Sequence, residues 1–430
     1  MSFYSRSLPY LNDAASYFAA LADLPCPAWL DSGGMGRFDI ITAAPQRSLT
    51  SSSFTSVRDA LGEHVSPIEN VPFAGGALGY WSYDLACEPT AHKDALPQMS
   101  LGIYDWALVL DHQAQTARLV SHLRYPETAQ RLPEILQRLQ SGSSPTRDHF
   151  RVHGKISCNF SRSSYAQAFA AVQDYLQSGD CYQVNLAQRF SALATGDALP
   201  AYLQLRRISP APYSAFLSLP QGQVLCASPE RFIRVSNGQV ETRPIKGTRP
   251  RAEDAERDRQ LADELRCHPK DRAENLMIVD LLRNDLGKNC EIGSVCVPKL
   301  FEVESYARVH HLVSTVQGKL AAGRDALDML EGCFPGGSIT GAPKRRAMQI
   351  IEQLEPDPRG LYCGAIGYLG FDGNMDSNIV IRTLVYSKGK IHCWAGGGLV
   401  ADSQCDAEYQ ETLDKASAML DLLIHYGGEI

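Results

Sequence analysis

The sequence predicts an α+β fold built on large, mostly antiparallel sheets. Three observations carry that reading. Strand-like and helix-like segments alternate irregularly, without the steady strand–helix rhythm of a doubly wound sheet. Asn237-Gly238 stands between two apolar runs, and both residues tolerate positive φ, which signals an antiparallel hairpin. Finally, 430 residues are too many for one ordinary core and enough for two or three packed layers.

Along the chain, short strand-like runs come first, at Phe38–Ala43, Gly75–Tyr83, Trp106–Asp111 and Ala117–His122. An amphipathic stretch, Glu127–Leu139, leads into the Ser/Gly/Pro linker Ser141–Thr146. The texture changes there, which divides the chain into an N-terminal sheet region, 1–145, and a second region, 150–430. A helix follows over Ser164–Gln177, with Phe169, Val172, Tyr175 and Leu176 on one face and Gly179 as its stop. Strands are expected at Tyr182–Phe190 and Gln223–Ala227, then the hairpin Arg231–Arg243. A two-residue loop at Asn237-Gly238 sets Glu230 opposite Ile245, within one step of Lys246. Pro229 and Pro244 make that ladder irregular, so side-chain directions stay open. Helices follow at Asp258–Cys267, Asp271–Asp285, Pro343–Leu354 and Asp406–His425, interleaved with strands at Cys363–Phe371, Ser377–Tyr386 and Lys390–Ala395.

Composition narrows the classes. Apolar residues make up 44% and charged residues 21%, as in a soluble globular protein. A net charge of −7 leaves no basic footprint for nucleic acid. No apolar run reaches the ~18 residues of a membrane span, and Met1–Tyr10 lacks a signal-peptide layout. The twelve cysteines form no CxxC pair and read as reduced, buried thiols of a cytoplasmic protein.

Several residues stand out chemically. Lys246, in Pro-Ile-Lys-Gly-Thr, is either a solvated lysine at a turn or an amine nucleophile whose neutral form burial favours. Glu230 is either its ion-pair partner or a proton donor. Asp271-x-x-Glu274 has the form of an N-terminal capping box, yet Glu274 also opens an apolar face. Glu408 and Glu411 share one helical face, so they form either a surface pair with Lys415 or a Mg²⁺ site, since hard cations take oxygen ligands. The glycine-rich Phe334–Lys344 loop enters a helix and suits an anion. Arg382 is a charge in an apolar strand, which calls for a carboxylate partner. Together these suggest a site for a small polyanion with an amine and a magnesium ion.

The ordered motifs S-P-E-R-F, P-I-K-G-T, D-R-A-E-N-L-M-I-V-D, V-H-H-L-V-S-T, F-P-G-G-S-I-T-G-A-P-K, C-G-x-I-G-Y, I-R-T, A-G-G-G and E-Y-x-E-T resemble those of the chorismate-utilising enzymes. The resemblance implies two large sheets with helices packed against them. It further implies that Lys246 attacks C2 of chorismate while Glu230 serves as acid, and that ammonia then adds at C4 to give 4-amino-4-deoxychorismate. His311 is the matching site histidine. By the same matching, Glu274, Glu408 and Glu411 surround Mg²⁺, and Gly247, Thr248, Thr340, Tyr362, Arg382, Gly396, Gly397, Gly398 and Lys415 hold chorismate. The related anthranilate synthase large subunit carries Ala where Lys246 stands. The resemblance also implies a tryptophan pocket at Ser32, Met35, Gly36, Arg37 and Phe38 with Pro212, Tyr213 and Ser214. No Gly-x-Cys-x-Gly elbow of a glutaminase appears, so ammonia is expected from a separate glutamine amidotransferase subunit or from solution. The competing classes are an anthranilate synthase subunit and a non-catalytic chorismate- or tryptophan-binding relative.

Overall fold

The computed structural model describes residues 3–50, 53–87, 96–142, 149–306 and 309–429. Of the expected linker, positions 143–146 lie outside the described residues. The α+β expectation holds: two sheets of twelve and ten strands are built from antiparallel ladders. Side chains of successive residues point to opposite faces of a strand, and here both faces are apolar. In Ala28–Asp31 and Phe38–Thr42, Ala28 and Ile40 join a core of both sheets' residues that includes Leu78, Tyr80 and Ile366. Their neighbours Trp29 and Ile41 pack outward on the helices Leu199–Ile208 and Cys405–His425, among Tyr202, Leu205, Met419 and Leu422. The outer face of the ten-stranded sheet is covered likewise by Pro269–Gly287 and Ala326–Cys333, through Ile278, Leu282, Met329 and Leu330. The result is four layers: helices, sheet, sheet, helices.

Strands from before and after residue 145 share both sheets. Ala28–Asp31 pairs with Tyr213–Leu219, and Gly76–Trp81 pairs with Ala365–Gly370. The Asn237-Gly238 hairpin forms with the two-residue loop, pairing Ser236 with Gln239, and both loop residues have positive φ (50° and 76°).

Three sequence-based expectations need correction. First, Ser377–Tyr386 is two strands in different sheets: Met375–Ile379 lies in the ten-stranded sheet and Thr383–Ser387 in the twelve-stranded one. Arg382 takes φ 50°, so the extended chain breaks there and crosses over. The charge in an apolar strand is therefore at a crossing between sheets. Second, the hairpin ladder ends at Arg234–Glu241, so Glu230 and Ile245 do not pair. Pro244 has no N–H to extend it, and Ile245 pairs instead with Val313. Third, the helix carrying Glu274 begins at Pro269, and His268 is its cap, with Nδ1 accepting from the Asp271 amide at 3.4 Å. Asp271 and Glu274 therefore form no capping box, and Glu274 is free to face elsewhere.

Candidate active site

The two sheets exchange strands at Pro229-Glu230, between Gly222–Ser228 and Arg231–Ser236, and again at residues 380–382. The crossings are tied to each other: the Ile379 amide donates to the Glu230 carbonyl at 3.0 Å and the Ser228 hydroxyl to the Ile379 carbonyl. A cavity of about 780 Å³ opens at this seam. Glu230, Lys246, Gly247, Thr248, Glu274, His311, Tyr362, Arg382, Gly396, Gly398, Glu408, Glu411 and Lys415 all line it.

Glu230 and Lys246 meet through a residue the sequence reading did not single out. The Ser338 hydroxyl donates to Glu230 Oε1 at 2.9 Å, and the Ser338 carbonyl accepts from Lys246 Nζ at 3.3 Å. Burial lowers the lysine's pKa, against the opposing pull of Glu274 and Glu230. Burial likewise raises that of Glu230, against Lys246 and the Ser338 hydrogen bond. Both shifts run toward the uncharged forms, the direction that a nucleophilic amine and a proton-donating carboxyl require. Lys246 is thus no solvated turn lysine.

Gly247 makes this presentation possible. Its φ is +88°, and a Cβ there would come within 2.8 Å of Asp271 Cγ. The bulge it permits shifts the register between Ile245 and Thr248, and Lys246, Gly247 and Thr248 all line the cavity. The Thr248 hydroxyl lies 2.8 Å from His311 Nδ1. Burial first, then Arg382 and His310, push the His311 pKa down to about 4, so its ring is neutral at pH 7. Arg382 lines the cavity, and no hydrogen bond or ion pair of its guanidinium appears among the described residues. Burial lowers its pKa while Glu230 opposes. The Tyr362 ring stacks on Trp394, with centroids 5.8 Å apart and planes 8° apart.

The carboxylates line the other side. Glu408 accepts from the Ser403 hydroxyl at 2.6 Å, and Glu411 is bridged to Lys415 at 2.6 Å. Lys415 Nζ also donates to the Gly396 carbonyl at 3.0 Å. Burial pushes the Glu411 carboxyl up, but Lys415 together with Lys270 and Lys246 outweighs it and the net shift is downward. Burial raises Glu274 and Glu408. Among the described residues no three Asp, Glu, His or Cys side chains converge into a finished metal cage. Gly397 leaves room for an ion nonetheless: a Cβ there would lie 3.1 Å from Glu408 Oε2 and 3.6 Å from Glu411 Oε1. One or two carboxylates opening on such a space, completed by water and substrate oxygens, fit Mg²⁺.

Thr340 is not brought to the cavity. It is fully buried, and its hydroxyl donates to the Gly336 carbonyl at 3.1 Å, so it shapes the loop from within. Lys344, at the start of the following helix, is taken up by Asp285 and the Cys333 carbonyl and does not line the cavity. Besides Ser338, the sequence reading missed Trp394, Lys270 and Asn185, which also line the cavity. Ser338 among glycines and Asn185 in an apolar strand were readable as polar exceptions. Trp394 gives no polar signal within its apolar strand, and Lys270 lies just before the expected helix start at Asp271.

Ser32, Met35, Gly36, Arg37, Phe38, Pro212, Tyr213 and Ser214 lie elsewhere and line no part of this cavity. Asp31 pairs with Ser214, and a Cβ on Gly36 would lie 2.9 Å from Ser32 Cβ and 3.6 Å from the Pro212 carbonyl. Arg37 is bridged to Asp111 at 2.8 Å and stacks over Phe38. The buried Ser32 hydroxyl has no hydrogen-bond partner among the described residues.

A profile of the chorismate binding enzymes matches residues 24–421, and the chain belongs to that family. Aminodeoxychorismate synthase component 1 of Salmonella typhimurium is 47% identical to it, over 96% of this chain and 97% of that protein. The protein of the same name from Escherichia coli K12 is 47% identical over 97% and 98%. The crystal structure of anthranilate synthase component I from Streptococcus pneumoniae TIGR4 superposes with a TM-score of 0.80 at 32% identity, covering 90% of this chain and 92% of that one.

Proposed function

We propose that this chain aminates chorismate at C4 to give 4-amino-4-deoxychorismate. One observation carries the reading: buried Glu230 and half-buried Lys246 line one cavity and are held by the two ends of Ser338. In the first step Lys246 Nζ bonds to ring C2, the two ring double bonds each shift one place toward C4, and the C4–O bond breaks. Glu230 gives its proton to the departing hydroxyl, which leaves as water, and takes one back from Nζ. In the second step ammonia bonds to C4, the double bonds return and the C2–N bond breaks. Glu230 now relays a proton from the added nitrogen to the leaving lysine. One displacement becomes two easier ones. Arg382 and Lys415 hold substrate carboxylates, Tyr362 and the Gly396–Gly398 segment flank the ring, and neutral His311 with Thr248 supplies hydrogen bonds. Glu274, Glu408 and Glu411 would hold Mg²⁺, whose chemistry is to neutralise and orient a substrate carboxylate.

The ammonia source in this reading is a separate glutamine amidotransferase in the cytoplasm. The relatives' designation as component 1 supports a second subunit. A tryptophan seat at Ser32, residues 35–38 and 212–214 belongs to the same reading, supported by the unpartnered Ser32 hydroxyl. The competing reading, anthranilate formation, draws on the anthranilate synthase fold match, but Lys246 has no task in it. The deciding experiment incubates purified chain with chorismate, ammonium and Mg²⁺ and weighs the product. Aminodeoxychorismate, with its enolpyruvyl group retained, is expected. Anthranilate and free pyruvate would establish the competitor, and unchanged chorismate would rule out both.

A further inference from the structure

The loop that carries Ser338 is held from behind by a buried ion pair. The side chains of Arg359 and Glu355 are 1% and 2% exposed. Neither lines the cavity. A pair so deeply buried is tolerated only when its remaining donors and acceptors are met, and here they are met by the cavity's walls. Arg359 donates Nε to Glu355 Oε2 at 2.9 Å and Nη2 to Glu355 Oε1 at 2.7 Å. Its Nη1 donates to the Ile339 carbonyl at 2.9 Å and its Nη2 to the Asn185 carbonyl at 2.7 Å. Glu355 Oε1 accepts from the Ala187 amide at 2.9 Å, and the guanidinium lies 5.6 Å from the centre of the Tyr362 ring. Ile339, Asn185 and Tyr362 all line the cavity, from three different segments. One planar fork therefore fixes three walls relative to each other.

The glycine-rich loop needs such a clamp. Residues 336–338 include two glycines and have little packing volume of their own, yet Ser338 must keep its carbonyl on Lys246 and its hydroxyl on Glu230. Ile339, which Arg359 grips, is the next residue. A core held only for stability would do as well with an apolar pair of similar volume. What the guanidinium adds is direction. We propose that Arg359, oriented by Glu355, is a positioning residue for the amination, setting the Ser338 loop so that nucleophile and acid face one substrate. The inference rests on the amination reading above.

Two variants test it: Arg359→Lys, which keeps the charge and loses the fork, and Arg359→Met/Glu355→Leu, which removes both charges and keeps apolar volume. Thermal melts report folding, and steady-state rates with chorismate and ammonium are taken per folded molecule. Because a misplacement of about 1 Å costs about 100-fold, kcat is expected to fall about 10- to 100-fold in both variants, with KM for chorismate changed less than about 3-fold. The rate at which an amine-directed acylating reagent modifies Lys246, read by peptide mass spectrometry, is expected to change severalfold in parallel. A well-folded double variant with wild-type kcat and wild-type Lys246 modification would overturn the proposal, as would a loss confined to KM. Should Arg359→Lys fail to fold, the double variant decides alone. A wild type that leaves chorismate unaminated refutes the amination reading instead, and the Lys246 modification rate then still reports on the clamp.

Discussion

Lys246 gives the sharpest prediction at the scale of single residues. Lys246→Ala should lose the covalent chorismate adduct in intact-protein mass spectra and most ammonium-dependent amination, on the order of 10³-fold in kcat. Lys246→Arg keeps the charge and should be nearly as poor, because a guanidinium does not become a neutral nucleophile at accessible pH. Normal adduct formation by either variant would remove Lys246 from the mechanism. His311 makes a second prediction, about stability. Its pKa is pushed from 6.5 down to about 4 in the fold. Between those values the unfolded chain takes up a proton that the folded chain refuses, so stability falls as pH drops from about 6.5 to about 4. The full effect is up to about 3 kcal/mol. His311→Gln keeps a partner for Thr248 and should flatten the decline of the urea midpoint over that window. An unaltered slope would assign the acid sensitivity to other groups, His392 among them, whose pKa burial also lowers to about 4.

At the scale of elements, the terminal helix Cys405–His425 and the strand Lys390–Leu399 act as a unit. The helix brings Glu408 and Glu411 to one face, and Gly397 of the strand leaves the space between them open. Glu411→Gln should sharply weaken Mg²⁺ binding in a calorimetric titration without unfolding the protein. Gly397→Ala should weaken it by roughly tenfold through its Cβ, 3.1 Å from Glu408 Oε2. If both titrations match wild type, Glu411 serves its ion pair with Lys415, Glu408 its hydrogen bond from Ser403, and the metal reading fails.

Two consequences belong to the whole molecule. Strands from before residue 145 complete both sheets, so a fragment covering 150–430 alone exposes long unpaired edges. It is expected to aggregate, and co-expression with residues 1–142 should restore soluble, cooperatively melting protein. A fragment that melts cooperatively by itself would show that the N-terminal strands are accessory. The second consequence concerns ammonia. An amine is almost wholly protonated at pH 7, so the isolated chain should use ammonium salts faster as pH rises toward about 9 and should not use glutamine. Adding a glutamine amidotransferase subunit, the partner of the proposed reading, should make glutamine effective near neutral pH. Use of glutamine by the isolated chain would reveal a glutaminase site within it.

The sequence by itself determined the class of fold, most of its elements and many of the residues that line the cavity, because periodicity, turn chemistry and ordered motifs are local. The Asn237-Gly238 hairpin, the helices at 164–177 and 406–425, and the carboxylate face of Glu408 and Glu411 were legible for that reason. What only the tertiary structure decided was how distant segments meet. The split at Arg382 depends on which sheet each half joins. The pairing of Glu230 with Lys246 does not run through the hairpin but through Ser338, a residue about ninety positions further along the chain. The sequence left open whether Asp271 and Glu274 form a capping box and whether Lys246 is a solvated lysine or a nucleophile, for the same reason: a local pattern fixes backbone preference, while burial and hydrogen-bond partners are set by segments far away in sequence.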